Sequence, residues 1–211
     1  MSGRTKLAVM MFLEFFIWGA WLPLIFAYLP AMGFTALQMG LILATFNVAA
    51  LVGLFFSNQF ADRSFAAEKF LAFSQLVGGA AMIGLFWVGG SRATKDDPVL
   101  TQLRDPNFLS FFGLMLVHSL FYVPTISITN SIAFANLKDP QKEFGPVRLW
   151  GTIGWIAAAW PFVFILTDWS LVQAKADAVK ATGEAVGFVT YLGFALGTPL
   201  GEKLALGVSP G

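Results

Sequence analysis

The chain has 211 residues, 57% of them hydrophobic and 12% charged, with a formal net charge of +1 and a mean hydropathy of +0.72. That balance excludes an ordinary soluble domain, gives no basic footprint for nucleic acid and no field for acidic substrates, and describes an integral membrane protein in a lipid bilayer. No cysteine is present, which excludes a disulfide framework and thiolate metal sites, and the single histidine, His118, leaves neither a metal constellation nor a Ser/His/Asp set. No metal, cofactor or enzymatic chemistry is therefore expected.

A helical span needs about 20 apolar residues, and runs free of Asp, Glu, Lys and Arg cover 15–61, 70–91, 106–137 and 149–167. The first run holds two spans, parted near Pro30 and Gly33, where proline fixes φ and glycine permits a turn. The fold class read from this is all-α: a polytopic membrane helix bundle with helices near 7–30, 36–58, 69–90, 108–137 and 146–167. Arg4 and Lys6 precede the first run as they would in a signal peptide, but the run is too long and no small-residue cleavage pattern follows.

On the first helix Glu14, Trp18, Trp21 and Tyr28 follow helical spacing. Hydrocarbon disfavours a charged carboxylate, which makes Glu14 a candidate proton carrier. It stands only about 12 Å along the helix axis from Lys6, at 1.5 Å per residue, which puts it toward the inner headgroups. On the fourth helix His118, Tyr122, Thr125 and Thr129 share a face, Asn130 and Ser131 lie close by, and Pro124 in the middle frees a backbone carbonyl. A polar, kinked helix of this kind lines cavities, so His118, Tyr122 and Asn130 join Glu14 as candidate cavity or proton-linked residues. Hydroxyls bonding back to their own helix, with His118 packed as a neutral imidazole, is the competing reading.

The fifth helix carries the most informative residue, Arg148, at the head of its uncharged run, with Gly145 and Pro146 just before it resembling a helix start. Arg148, Thr152 and Trp155 fall at i, i+4 and i+7 and project from one face, while Gly151, Gly154 and Ala158 make a small-residue strip for close helix packing. Guanidinium donors beside an indole π face suit a polar ring compound such as a nucleoside or a sugar. The alternative is an arginine that snorkels to the headgroups. Beyond the fifth helix, 185–201 is uncharged but rich in glycine and contains Pro199, so 1–168 reads as the helix bundle and 169–211 as an extracytoplasmic insert before a missing sixth helix. With the amino terminus cytoplasmic, inner segments hold Arg4, Lys6, Arg63, Lys69, Lys138, Lys142 and Arg148, against Arg92, Lys95, Arg104, Lys175, Lys180 and Lys203 outside. The acidic neighbours Asp96, Asp97 and Asp105 in the outer loop favour that orientation.

The run from Gly145 through Pro146, Arg148, Trp150, Gly151, Thr152, Gly154 and Trp155 resembles the P-x-R-x-W-G-T-x-G-aromatic signature of nucleoside:proton symporters of the major facilitator superfamily. Phe12, Leu13, Phe15, Trp18, Gly19 and Trp21 resemble that family's first helix, F-L-x-F-x-x-W-G-x-W, and the stretch from His118 to Ile132 is similar to its fourth. Between the second and third helices, Asp62 and Arg63 resemble the superfamily's cytoplasmic loop motif, which helps to hold one conformation, although Asn58 stands where glycine is usual.

The resemblance implies alternating access in a cell (inner) membrane, with nucleoside and proton as the transported species and the site near the midplane. It assigns Arg148 and Thr152 to hydrogen bonds with the solute and Trp155 to stacking on its base. It also implies that this chain is the amino-terminal half of the transporter, with the carboxy-terminal half as the missing partner. A sugar:proton symporter is the nearest alternative, but that family pairs its arginine with a fourth-helix glutamate where Asn130 stands here. A non-transporting membrane scaffold is an alternative of another class.

Overall fold

A computed structural model describes residues 2–60, 67–188, 190, 191 and 193. Seven α-helices follow one another with no strand among the described residues: α1 (Gly3–Ala31), α2 (Ala36–Phe60), α3 (Ala67–Gly84), α4 (Val99–Leu103), α5 (Pro106–Asn136), α6 (Pro140–Leu166) and α7 (Trp169–Ala181). In four of them, α1, α2, α5 and α3 with its 3-10 extension Leu85–Trp87, the described residues form a helix long and apolar enough to cross a membrane. The fourth and fifth helices expected from the sequence are α5 and α6.

Local chemistry sets the ends. The Ser2 hydroxyl accepts from the Thr5 N–H to cap α1, and Gly33, at φ +75, turns the chain into α2 in a conformation that side chains rarely adopt. α5 starts at Pro106 behind Asp105, whose carboxylate accepts from the Asn107 and Phe108 N–H groups. α6 likewise begins on a proline, but on Pro140 rather than Pro146. Pro146 lies within the helix, so Arg148 stands more than two turns from the helix start, not at its head. The stretch after the expected fifth span is also not all loop, because Asp168 caps α7, while most of 185–201 lies outside the described residues.

Two pairings organise the bundle. α1 and α6 run alongside in the same direction: Arg4 reaches Glu143 at 4.0 Å, Gly151 meets Phe15 and Gly154 meets Phe12. A Cβ on Gly19 would stand 2.6 Å from the Trp155 carbonyl oxygen, so the helices touch backbone to backbone through the small residues of both. α5 is the central column, with α2 on one side (Thr45 against Ser119, Gly53 against Pro124) and α3 on the other (Gly78 against His118, Gly84 against Leu114).

Apolar packing gathers at the two ends. One cluster contains Ile25, Leu29, Ile42, Leu85, Phe108 and Phe111; the other contains Leu7, Met11, Phe15, Ile132, Ala133 and Val147. Between them lies a belt of buried polar side chains contributed by α1, α2, α3 and α5.

Candidate functional site

That belt is closed by α1 meeting α3 and α5. Helical steps of four and three bring Glu14, Trp18 and Trp21 to one side of α1, and Glu14 is only 4% exposed. Its Oε2 accepts from Gln75 Nε2 at 2.7 Å, and its Oε1 stands 2.6 Å from Thr125 Oγ1. Thr125 Oγ1 is also 2.5 Å from the Tyr122 carbonyl oxygen and 3.3 Å from Gln75 Nε2. The Tyr122 hydroxyl donates to the Glu14 carbonyl oxygen at 2.6 Å, binding α5 to α1 a second time.

His118 stacks on Tyr122 at 5.3 Å and meets Trp21 edge-on at 5.4 Å. Its Nδ1 lies 3.0 Å from the Gly78 carbonyl oxygen, which assigns the ring proton to Nδ1. His118 Nε2, Trp21 Nε1 and Ser74 Oγ are buried without a hydrogen-bond partner among the described residues. Glu14, His118 and Tyr122 thus come together. Asn130 is not one of their partners; its Oδ1 is buried and unpaired elsewhere on α5. Glu14, expected toward the inner headgroups, is seated between three helices.

The second polar face lies on α6 and is built differently. The Arg148 guanidinium lies over the Phe15 ring at 3.9 Å, Phe15 tilts against Trp18 at 6.0 Å, and Trp18 meets Trp155 edge-on at 5.1 Å. Phe46 of α2 stacks on Trp18, with ring centroids 5.4 Å apart. Arg148 and Trp155 are half-buried and Thr152 is exposed. None of the described hydrogen bonds or salt bridges uses the Arg148 side chain. A groove of about 510 Å³ runs between Arg4, Phe12, Pro146 and Trp150, but none of Arg148, Thr152 and Trp155 lines it.

Asp62 and Arg63 lie outside the described residues. Two residues that build the sites were not singled out by sequence reasoning. Gln75 was findable as a side-chain amide, next to Ser74, in an otherwise apolar run. Phe15, the platform for Arg148, carries no signal of its own because aromatic residues crowd the whole first helix.

A polytopic helix bundle with polar groups turned inward defines a multi-pass membrane protein. The family model described as nucleoside H+ symporter matches residues 1–201, and the chain belongs to that family. It is 38% identical over 158 residues to the putative nucleoside transporter YegT of Escherichia coli (strain K12), covering 75% of this chain and 33% of that protein. It is similar also to the xanthosine permease of the same organism, 29% identical over 178 residues and covering 82% of this chain and 38% of the permease. Similarity to the nucleoside permease NupG of Escherichia coli (strain K12) is 27% over 165 residues, with 76% and 35% covered. The chain spans about a third of the length of these relatives. No solved structure matches it. The all-helical fold agrees with the amino-terminal half of a major facilitator superfamily transporter.

Proposed function

We propose that the chain forms the amino-terminal part of a nucleoside:proton symporter that works by alternating access in the inner membrane, with its amino terminus cytoplasmic. In this reading α6 is a fifth span, 1–168 is the membrane bundle and 169–211 is extracytoplasmic. Arg148, Thr152 and Trp155 form one wall of the solute site. Arg148 and Thr152 hydrogen-bond the nucleoside, and Trp155 stacks on its base.

One observation carries the assignment: the guanidinium rests on the aromatic wall of α1 with no acidic partner among the described residues, and that wall joins it to Trp155. An arginine held by a ring face keeps its planar donors available, because cation–π attraction occupies none of its N–H groups. Loss of a charged hydrogen bond costs about 1.5–3 kcal/mol, so Arg148→Ala lowers labelled uridine uptake by the full-length protein in proteoliposomes at least about 10-fold. Membrane insertion remains normal. Uptake at the unsubstituted level would end the assignment, and a response to labelled disaccharide but not uridine would move the solute class to sugars.

A further inference from the structure

Hydrogen counting around Thr125 favours a neutral Glu14. A hydroxyl has one hydrogen to give and two lone pairs to receive with. Thr125 Oγ1 faces two oxygens at hydrogen-bonding distance, Glu14 Oε1 at 2.6 Å and the Tyr122 carbonyl at 2.5 Å, and one nitrogen donor, Gln75 Nε2 at 3.3 Å. With Glu14 ionised, both facing oxygens are acceptors and the single Thr125 hydrogen serves one of them, leaving a short oxygen–oxygen contact with no hydrogen in it. With Glu14 neutral every atom is satisfied. The carboxyl O–H donates to Thr125, Thr125 donates to the Tyr122 carbonyl, and Gln75 donates one N–H to Thr125 and the other to Glu14 Oε2.

We propose that Glu14 is a proton-binding site, occupied in this conformation, in which Thr125 and Gln75 hold the neutral carboxyl between α1, α5 and α3. The groups facing it agree. α5 presents Tyr122, whose hydroxyl is committed to the Glu14 backbone, and His118, whose Nδ1 is committed to Gly78. α3 presents the neutral Gln75, its Glu68 and Lys69 being exposed. α2 carries no ionisable residue. α6 brings Arg148, but over Phe15, and no described salt bridge involves Glu14. A carboxylate here would be buried without a cation among the described residues, a costly state that either draws a proton or opens the helix contacts around it.

Loss of the proton therefore loosens α1 from α3 and α5. Phe15, the next residue along α1, carries the Arg148 guanidinium, so the same movement reaches the α6 face. That last link rests on the nucleoside:proton reading; the proton on Glu14 does not.

The experiment uses the full-length protein in two measurements. Infrared difference spectra, recorded without solute as the pH is lowered from mildly alkaline to mildly acidic, reveal a protonated-carboxyl C=O band that Glu14→Gln removes. A spectrum of the unsubstituted protein with no band sensitive to that substitution overturns the proposal. Glu14→Gln keeps the neutral shape and an N–H for Thr125, so in proteoliposomes it retains labelled-uridine exchange but loses stimulation of uptake by an inward proton gradient. Undiminished stimulation overturns the coupling role. If uridine exchange is absent from the unsubstituted protein as well, the solute reading fails while the infrared result still stands or falls alone.

Discussion

The two polar faces share helix α1 yet treat their polar atoms in opposite ways. Around Glu14 the donors and acceptors are spent on one another across three helices, at 4% exposure for Glu14, 1% for Tyr122 and 0% for Thr125. On α6 the guanidinium of Arg148 leans on a ring, and the Thr152 hydroxyl is exposed. Inside a membrane an unpaired polar group costs free energy, which the pairing around Glu14 avoids, although His118 Nε2, Trp21 Nε1 and Ser74 Oγ beside it stay unpaired among the described residues. On the proposed reading, the first face holds helices together in a proton-dependent way and the second receives the solute. Substitutions that remove one polar group from each should therefore separate stability from uptake.

The largest stability effect is expected at Gln75. Gln75→Leu fills a similar volume but removes the donor to Glu14 Oε2, leaving a buried acceptor with nothing in exchange. Thermal unfolding of the purified protein in detergent should report a loss of about 2–3 kcal/mol. A transition at the unsubstituted temperature would mean that the Gln75 bond to Glu14 does not hold the cluster together, and the contrast would dissolve.

Asp105 extends the closed pattern to the end of the bundle that holds Ile25 and Phe108, outside the spans. Burial alone would raise the pKa of its carboxyl, but N–H bonds from Phe108, Arg92, Asn107 and Ala93 outweigh it and hold the group below the usual carboxylate value of 3.8. A depressed folded value means that this stabilisation is complete above the unfolded pKa and is lost as pH falls through the folded one. Asp105→Ala should then cost about 2 kcal/mol at neutral pH, as a lost helix cap with its charge-assisted bonds. The deficit should shrink in strong acid. A deficit unchanged by acid would assign the effect to packing instead.

Faces were legible in the sequence where the helical period alone determines them. Glu14 with Trp18 and Trp21, His118 with Tyr122 and Thr125, and Arg148 with Thr152 and Trp155 each share a side of one helix because 3.6 residues make a turn. Which face meets which was not legible, because the partner that satisfies a polar group in a membrane sits on another helix and leaves no mark in the first. The distance of Glu14 from Lys6 was readable, but that Gln75 and Thr125 hold its carboxyl was not. The start of α6 was misplaced at Pro146 for a related reason. Pro140 and Pro146 both suit a first-turn position, and only Asp139 with the backbone after it decides that the helix begins at the earlier one. The glycine strip of α6 was readable, whereas its fit to Phe12 and Phe15 needed coordinates.

The smallest stability effect, and the sharpest separation of the two faces, is expected at Thr152. Thr152 is exposed and its hydroxyl enters none of the described hydrogen bonds, so Thr152→Val deletes a polar group with no partner among the described residues. Unfolding in detergent should stay within about 0.5 kcal/mol of the unsubstituted protein, as surface substitutions do. Uridine uptake should nevertheless fall several-fold through a weaker apparent affinity, because a neutral hydrogen bond to the solute contributes about 0.5–1.5 kcal/mol. Valine keeps the branched shape, so a fall in uptake belongs to the hydroxyl and not to volume. If Thr152→Val instead lowers stability as much as Gln75→Leu, the α6 face is a second structural seam, and the solute wall must be sought on another side of the bundle.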